Sequence, residues 1–366
     1  MAINKYNRIL IKLSNIEHNL YYIKDKLASD VKIMAVVKDN AYGHGFVEIS
    51  KVLEKQNIAY LALHSASEAV FLRENDINLP MLVIGPVHKD ELEIAAKNNI
   101  TISIYNYETF HNLHQLVDKL NIKINVHLTL DTGMNRLGFS TDEIEKVFNI
   151  CNESGINIVG LMSHMPDSRS EDTIRQIEYF SDMAKTIKHK FGEHIITHLA
   201  NSSGTIYHPD AHCDMVRVGL SLYGYAGSIE YSKQNLKPVM EVKTEVVSIR
   251  EVKPGMTVGY NRRHSVKEST KIAVVPIGYA DGYLRTYKNY GQVLINESFY
   301  PIVGDICMDM MMLDVSKSNV KIGDTVTLLG KDGNKSITAY DIAEKCDTIP
   351  YEILTLFRDY IPRTFI

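Results

Sequence analysis

The sequence predicts an α/β fold: a (β/α)8 TIM barrel followed by a C-terminal, mostly antiparallel β domain. Three observations point there. Short apolar runs alternate with amphipathic stretches through the first two-thirds of the chain. The pattern changes to alternating apolar and polar residues near Pro238. A length of 366 residues also exceeds one ordinary core and calls for two domains, drawn at 1–237 and 238–366.

Eight strand candidates occur in order: Lys32–Lys38, Ala59–Ser65, Met81–Gly85, Ile100–Tyr105, Ile124–Asp131, Ile158–His164, Ile195–Ala200 and Met215–Tyr223. Their near-continuous apolar character is that of buried parallel strands. Amphipathic stretches at Ser14–Leu27, Ser67–Glu74, Asp90–Lys97, Asp142–Cys151 and Thr173–Phe191 supply crossover helices. Ser14 and Thr141 stand where N-caps are expected. Eight right-handed βα units close into a barrel. The short gap before the last strand leaves room for only a stub of helix. Beyond Pro238, runs at Val242–Ile249, Lys271–Ile277, Gln292–Ile295, Met310–Val315 and Thr325–Leu329 read as antiparallel strands, followed by a helix at Ala339–Cys346.

Composition excludes several function classes. A net charge of −4 leaves no basic face for nucleic acid. Cys151, Cys213, Cys307 and Cys346 lack metal-ligand spacing and fit a reducing compartment. No apolar run reaches the ~18 residues of a membrane helix, and no signal peptide is seen, so a cytoplasmic protein is expected, or the cytoplasmic part of a longer membrane-anchored one. No metal is expected; His189, His194, His198, His208 and His212 read as solvated or capping residues. The Met308–Met312 cluster reads as packing of the β domain, Met308 excepted.

Barrel active sites lie at the carboxyl ends of the strands, with phosphates at the loops after strands seven and eight. Strand one delivers Lys38 there, followed by Asp39-Asn40-Ala41-Tyr42-Gly43-His44-Gly45. Strand five runs into Asp131-Thr132-Gly133-Met134-Asn135-Arg136, and strand six ends at His164. Strand seven runs into Asn201-Ser202-Ser203-Gly204, and strand eight carries Arg217-Val218-Gly219-Leu220. Each has an ordinary alternative. A strand-end lysine snorkels to water, Asn-Ser-Ser-Gly makes a turn or cap, and Arg136, Arg217 and His164 serve as surface cations or a core histidine. Their coincidence at one predicted mouth is what carries weight. A desolvated lysine condenses with an aldehyde, and small residues after strands seven and eight offer phosphate donors. A lysine at the mouth together with these donors points to a cofactor with both an aldehyde and a phosphate, and pyridoxal 5'-phosphate is expected.

These motifs resemble the alanine racemase family. Ala35–Gly45 is similar to its cofactor signature. The likeness continues through Asp131–Met134 with Arg136, Gly160–His164, Asn201-Ser202, Arg217 with Gly219, and Tyr223-Gly224. It extends through Val258–Tyr260, Ile277–Gly282, Cys307–Asp309 and Thr348–Glu352. The resemblance implies that Lys38 carries pyridoxal phosphate as a Schiff base. It implies that Tyr42, Ser202, Tyr351 and the backbone of Gly219 and Leu220 bind the phosphate, with His164 and Asn201 also lining the cofactor site. Arg217 would face the pyridine nitrogen, keep it unprotonated and so favour reprotonation over other outcomes. Lys38 and Tyr260 would be the two opposed bases, with His164 and Arg217 favouring the Tyr260 phenolate. Arg136 and the Met308 amide would hold the substrate carboxylate, with Tyr279 near the entrance. Tyr260 and Met308 would enter the partner's site in a head-to-tail homodimer.

The sequence also departs from the family pattern. Thr129 stands where a lysine, often carbamylated, is usual; Asp39 replaces alanine; and Asp305 replaces arginine. The expected reaction is interconversion of L- and D-alanine for peptidoglycan precursors. Serine, handled by a related branch tied to glycopeptide resistance, is the alternative substrate, since one hydroxyl changes pocket demands modestly. A related decarboxylase and a non-catalytic cofactor carrier stay open as more distant readings.

Overall fold

The computed structural model describes residues 5–151, 155–227 and 234–366, in two compact units that interleave along the chain. One comprises residues 17–41 and 46–222; the other comprises 1–16, 42–45 and 223–366.

The first strand, β1 (Arg8–Ile11), belongs to the second unit. The first unit is built on β2 (Lys32–Val36), β3 (Tyr60–Leu63), β4 (Met81–Val83), β5 (Thr101–Ile104), β6 (Ile124–Thr129), β7 (Ile156–Met162), β8 (Ile196–His198) and β9 (Met215–Val218). All eight predicted strands form, in the sheet order β8-β7-β6-β5-β4-β3-β2-β9 with every ladder parallel. The remaining seam between β8 and β9 is closed by two bonds, Asp214 N–H to the Thr197 carbonyl (3.1 Å) and Arg217 N–H to the Ala200 carbonyl (2.9 Å). The sheet is therefore a barrel.

Helices Ala66–Glu74, Lys89–Lys97, Tyr107–Leu120, Thr141–Cys151 and Glu171–Phe191 cover it. Their apolar sides are buried, as with Ile144, Val147, Phe148 and Cys151 on one helix. Burial of such a stripe, rather than helix propensity alone, stabilises helices of this length. The last crossover is reduced to Ser202–Tyr207 and a single turn at Pro209–Ala211. Two expected caps shift. Ser14 lies inside the Leu13–Lys24 helix, and Ser140, just before Thr141, donates its amide and its hydroxyl to Glu143. That carboxylate reaches back to Ser140 rather than Thr141, which fixes the start of the helix.

The turn after β2 is unusual. Asp39, Asn40, Ala41 and Tyr42 all have φ of 53–54°, and Gly43 follows at 79°. Four consecutive L-residues in the left-handed region cost about 1–2 kcal/mol each.

In the second unit β1 pairs antiparallel with β10 (Met240–Glu245) and parallel with β20 (Arg363–Phe365). Between these lie β11 (Ser248–Val252), β12 (Thr257–Val258), β13 (His264–Ser265), β14 (Thr270–Val275), β15 (Gln292–Ile295), β16 (Ser298–Val303), β17 (Met311–Asp314), β18 (Thr325–Asp332) and β19 (Lys335–Ile337). The main sheet runs β11-β14-β17-β16-β15-β18-β10-β1-β20, antiparallel except at β1–β20. The predicted run Val242–Ile249 is broken in two. Val246 N–H bonds to Asp324 and Val247 N–H to Val274, so the chain changes ladder partners there. Of the methionine cluster only Met311 is fully buried, while Met308 and Met310 are exposed. The Ala339–Cys346 helix forms as predicted and carries a capping box on Thr338 and Asp341. Among the described residues no helix is long and apolar enough to cross a membrane.

Gly160 on β7 sits opposite His127 on β6. A Cβ there would lie 2.5 Å from the His127 ring. Gly160→Ala should therefore destabilise the barrel by about 1–3 kcal/mol through overpacking. Denaturant unfolding checks this, and an unchanged midpoint would mean that the ring swings aside freely.

Candidate active site

The centre of the barrel unit's polar cluster is Arg217, on β9 and only 4% exposed. Its Nη1 donates to the His198 carbonyl (2.9 Å) and to His198 Nδ1 (3.0 Å). Its Nη2 donates to the carbonyls of Ser163 (2.6 Å) and Leu199 (3.1 Å), and to His164 Nδ1 (3.3 Å). The described partners are carbonyls and imidazoles, none of them a carboxylate. The Nε–H is the donor not committed to a described residue. Desolvation lowers the guanidinium pKa to about 10, so it remains charged near neutrality.

That cage fixes the tautomers around it. Arginine can only donate, so His198 Nδ1 and His164 Nδ1 must accept. His198 then carries its proton on Nε2 and donates to His127 Nδ1, 2.7 Å away. His127 in turn carries its proton on Nε2, a buried atom with no hydrogen-bond partner among the described residues. All three rings are neutral. His164 and His127 are pushed down to about 3 and His198 well below its ordinary value, first by burial and then by the Arg217 charge.

Ser163 is met from the β6 loop and His164 from the Glu171–Phe191 helix. Gln176 Nε2 donates to Thr132 Oγ1 (2.7 Å) and to the His164 carbonyl (2.9 Å). Thr132 Oγ1 and Ser163 Oγ lie 2.6 Å apart. Arg136 is exposed on the same loop, close enough for its charge to add to the depression of His164. Thr129 is buried on β6, and its Oγ1 has no hydrogen-bond partner among the described residues.

A second donor cluster lies on Ser202. Its Oγ accepts from the amides of Gly219 (2.9 Å) and Ser221 (3.3 Å) and meets Ser221 Oγ at 3.1 Å. Leu220 is buried between those two amides in sequence. Asn201 is the cap of the following helix. Its Oδ1 accepts the Gly204 amide (3.0 Å) and its Nδ2 donates to the Met165 carbonyl (3.3 Å). Lys38 follows β2, half-buried, with Nζ 3.2 Å from Asp39 Oδ2. The barrel unit thus contains Lys38, Arg136, His164, Asn201, Ser202, Arg217, Gly219 and Leu220, and the charges of Lys38 and Arg217 both act on His164.

The other unit contains the remaining candidates. Tyr42 packs against Tyr351, with centroids 5.9 Å apart, and against Tyr223 at 4.9 Å. Burial pushes the Tyr351 phenol up to about 12. Tyr279 and Met308 are tied through backbone: Tyr279 N–H donates to the Cys307 carbonyl (3.1 Å) and Ala280 N–H to that of Met308 (3.0 Å). Asp305 anchors the loop that carries Met308. It is buried, accepts from Lys288 (2.7 Å) and Arg285 (2.9 Å), and lies 4.0 Å from Arg263. Tyr260 is 67% exposed and Met308 54%.

Sequence reasoning missed two histidines of this network, one on Arg217 and one behind it. His198, expected to be solvated or capping, is wholly buried, and so is His127, which the motifs do not include. The available signal was alternation. Along β6, His127 and Thr129 alternate with Val126 and Leu128, so the two polar side chains share one face of the strand. That is the face on which His127 meets His198.

A parallel barrel that gathers a lysine, a caged arginine, neutral histidines and hydroxyl-amide donors in one unit, with a β unit as its second part, defines a two-part barrel enzyme. Family models agree. "Alanine racemase, N-terminal domain" matches residues 11–227 and "Alanine racemase, C-terminal domain" matches 239–365. The chain is 35% identical to the alanine racemase of Methanococcus maripaludis over 364 residues, 97% of each protein. It is 37% identical to that of Halothermothrix orenii over 364 residues, 97% of this chain and 95% of the relative. The solved alanine racemase of Clostridium difficile 630 superposes with a TM-score of 0.93 at 34% identity, covering 100% of this chain and 97% of that one. This chain belongs to the alanine racemase family, whose members are pyridoxal-phosphate-dependent isomerases. The serine alternative finds no support among these relatives.

The neutral rings make a pH prediction. Their folded pKa values lie below the unfolded value of ~6.5, so the unfolded chain binds more protons in between. Stability is fully present above that value and is lost as pH falls toward about 3. A buried histidine of this kind contributes a slope of about 1.4 kcal/mol per pH unit. Urea unfolding between pH 7 and 4 should show His127→Gln with a slope reduced by about that much. An undiminished slope would mean that His127 is not held neutral.

Proposed function

We propose that this protein interconverts L- and D-alanine, taking the Cα proton from one face and returning one to the other, for the supply of peptidoglycan precursors. The observation that carries the reading is the caged, carboxylate-free Arg217 in the unit that also contains Lys38. The donor set fits pyridoxal phosphate. Ser202 Oγ accepts from two amides and the Ser221 hydroxyl, which leaves its own O–H to donate to a phosphate oxygen, and among the described residues the Arg217 Nε–H is left for a ring nitrogen. When bound, that group delocalises negative charge developing at the substrate Cα.

Lys38 would anchor the cofactor covalently and would serve as the base for one face. Ser202 and the Leu220 amide would hold the phosphate, and the Gly219 amide, which donates to Ser202 Oγ, orients that hydroxyl. Arg217 cannot give up a proton at neutral pH, so it would face a bound ring nitrogen as a donor only and leave that nitrogen without a proton of its own. The outcome is return of a proton to the same carbon. Tyr260 of a second protomer is the opposed base, approached by the neutral His164, whose Nε2–H donates to a phenolate. Arg136 and the Met308 amide take the substrate carboxylate, with Tyr279 at the entrance. Tyr260 and Met308 are exposed on the β unit, as a head-to-tail homodimer that takes them into the partner's site requires. The Bacillus anthracis alanine racemase, 31% identical and solved with bound L-Ala-P, supports alanine as the substrate.

Lys38→Ala should lose the yellow absorbance of the covalently linked cofactor and any borohydride-fixed peptide at that position. A normal spectrum would put the anchor elsewhere. Tyr260→Phe should remain yellow while racemisation falls by about 10²–10⁴-fold, the range typical of losing a general acid–base group. Exchange of the Cα proton should suffer on one face more than the other, and unchanged turnover would exclude Tyr260 as a base. Racemisation assays on both amino acids should favour alanine over serine; the reverse preference would overturn the substrate assignment.

A further inference from the structure

β2 and β3 run side by side, and their ladder ends where Val37 N–H bonds to the Ala62 carbonyl (2.9 Å). One residue later Lys38 opens the left-handed turn, closed by Ala41 N–H to the Val37 carbonyl (2.9 Å). The first amides of a helical turn have no partner within it, whatever its hand. The Asp39 amide finds one outside: Glu68 Oε1, at 2.7 Å. The other oxygen, Oε2, accepts the His64 amide (2.7 Å) and the Ser65 amide (3.3 Å), while Ser65 Oγ accepts the Glu68 amide (3.2 Å).

One carboxylate therefore ties the turn after β2 to the turn after β3. It also completes the capping box of the Ala66–Glu74 helix. Lys38 has a ladder bond on its N-terminal side and a charge-assisted bond on its C-terminal side. The residues that follow are strained, so the turn needs an external hold to keep its shape.

We propose that Glu68 is a positioning residue for Lys38, fixing the backbone from which the amine is presented. Its effect on cofactor attachment rests on the reading that Lys38 is the anchor; the clamp itself does not. Ser65→Ala provides the control, because it removes the capping hydroxyl and leaves the Glu68–Asp39 bond in place.

The test uses the full chain. Hydrogen exchange of the Asp39 amide is measured without cofactor, and the rate of yellow adduct formation is measured on adding pyridoxal phosphate. Glu68→Ala should speed the exchange and slow the adduct by about tenfold each, the scale of a bond to a charged acceptor. Ser65→Ala should move both by less than about twofold, although it too loosens the helix start. Equal effects of the two substitutions, or an unchanged Asp39 exchange rate in Glu68→Ala, would overturn the proposal. Should Glu68→Ala not fold, Glu68→Gln, which keeps a single acceptor oxygen, is expected to shift both readouts in the same direction by less; no shift overturns the clamp. A wild-type protein that forms no yellow adduct would defeat the proposed function, and the exchange rates alone would then decide the clamp.

Discussion

A buried guanidinium held without a carboxylate is the constraint on which the barrel's polar interior depends. Taking a cation out of water costs several kcal/mol unless dipoles replace the solvent. Arg217 is served by three carbonyls and two imidazole nitrogens drawn from the ends of β7 and β8. The Ser163 and Leu199 carbonyls lie just past the ends of β7 and β8, while the His198 carbonyl, which also accepts the Ser163 amide (3.2 Å), is shared between the ladder and the cation. The cation then dictates its surroundings. It sets the tautomers of His164, His198 and His127, and its charge adds to their burial in keeping all three neutral. A carboxylate in the same place would change the electronic character of anything bound above it, since it could share or return a proton.

The second constraint is backbone shape. The turn that carries Lys38 holds four residues in the left-handed region, a conformation that persists only where neighbours over-determine it. Glu68 on one side and the Asn40 side chain, which accepts the Phe46 amide at 3.0 Å, supply part of that determination. In the other unit Asp305 plays a comparable part. Its buried carboxylate, held below the usual carboxylate range chiefly by Lys288, organises Arg285 and Lys288 around the loop of Met308. Ion pairs of this kind orient a segment more than they stabilise the fold.

The strands of the barrel were legible because each is an apolar run of β-branched and aliphatic residues bounded by polar turns. The lysine, arginine and Asn-Ser-Ser-Gly positions were legible because they fall at the ends of those runs, where a barrel gathers its chemistry. His198 was assigned the wrong role and His127 none, for a physical reason. A buried imidazole bonded to arginine and an exposed one look alike in sequence, and only the register of β6, β7 and β8 brings these two within 2.7 Å. Glu68 was hidden in the same way, since the helix expected over Ser67–Glu74 gave it no partner outside the helix. The exposure of Met310 beside the buried Met311 likewise follows from strand alternation that begins only at Met311.

By itself the sequence determined the periodicities, hence eight parallel strands and a following β unit, and the identity of the groups at the strand ends. It also determined the departures at Thr129, Asp39 and Asp305. Tertiary structure alone decided which of those groups meet, that β1 joins β10 and β20, and that the turn after β2 is left-handed. The reason is that register and closure depend on contacts between residues far apart in the chain, whereas periodicity depends on neighbours a few positions away.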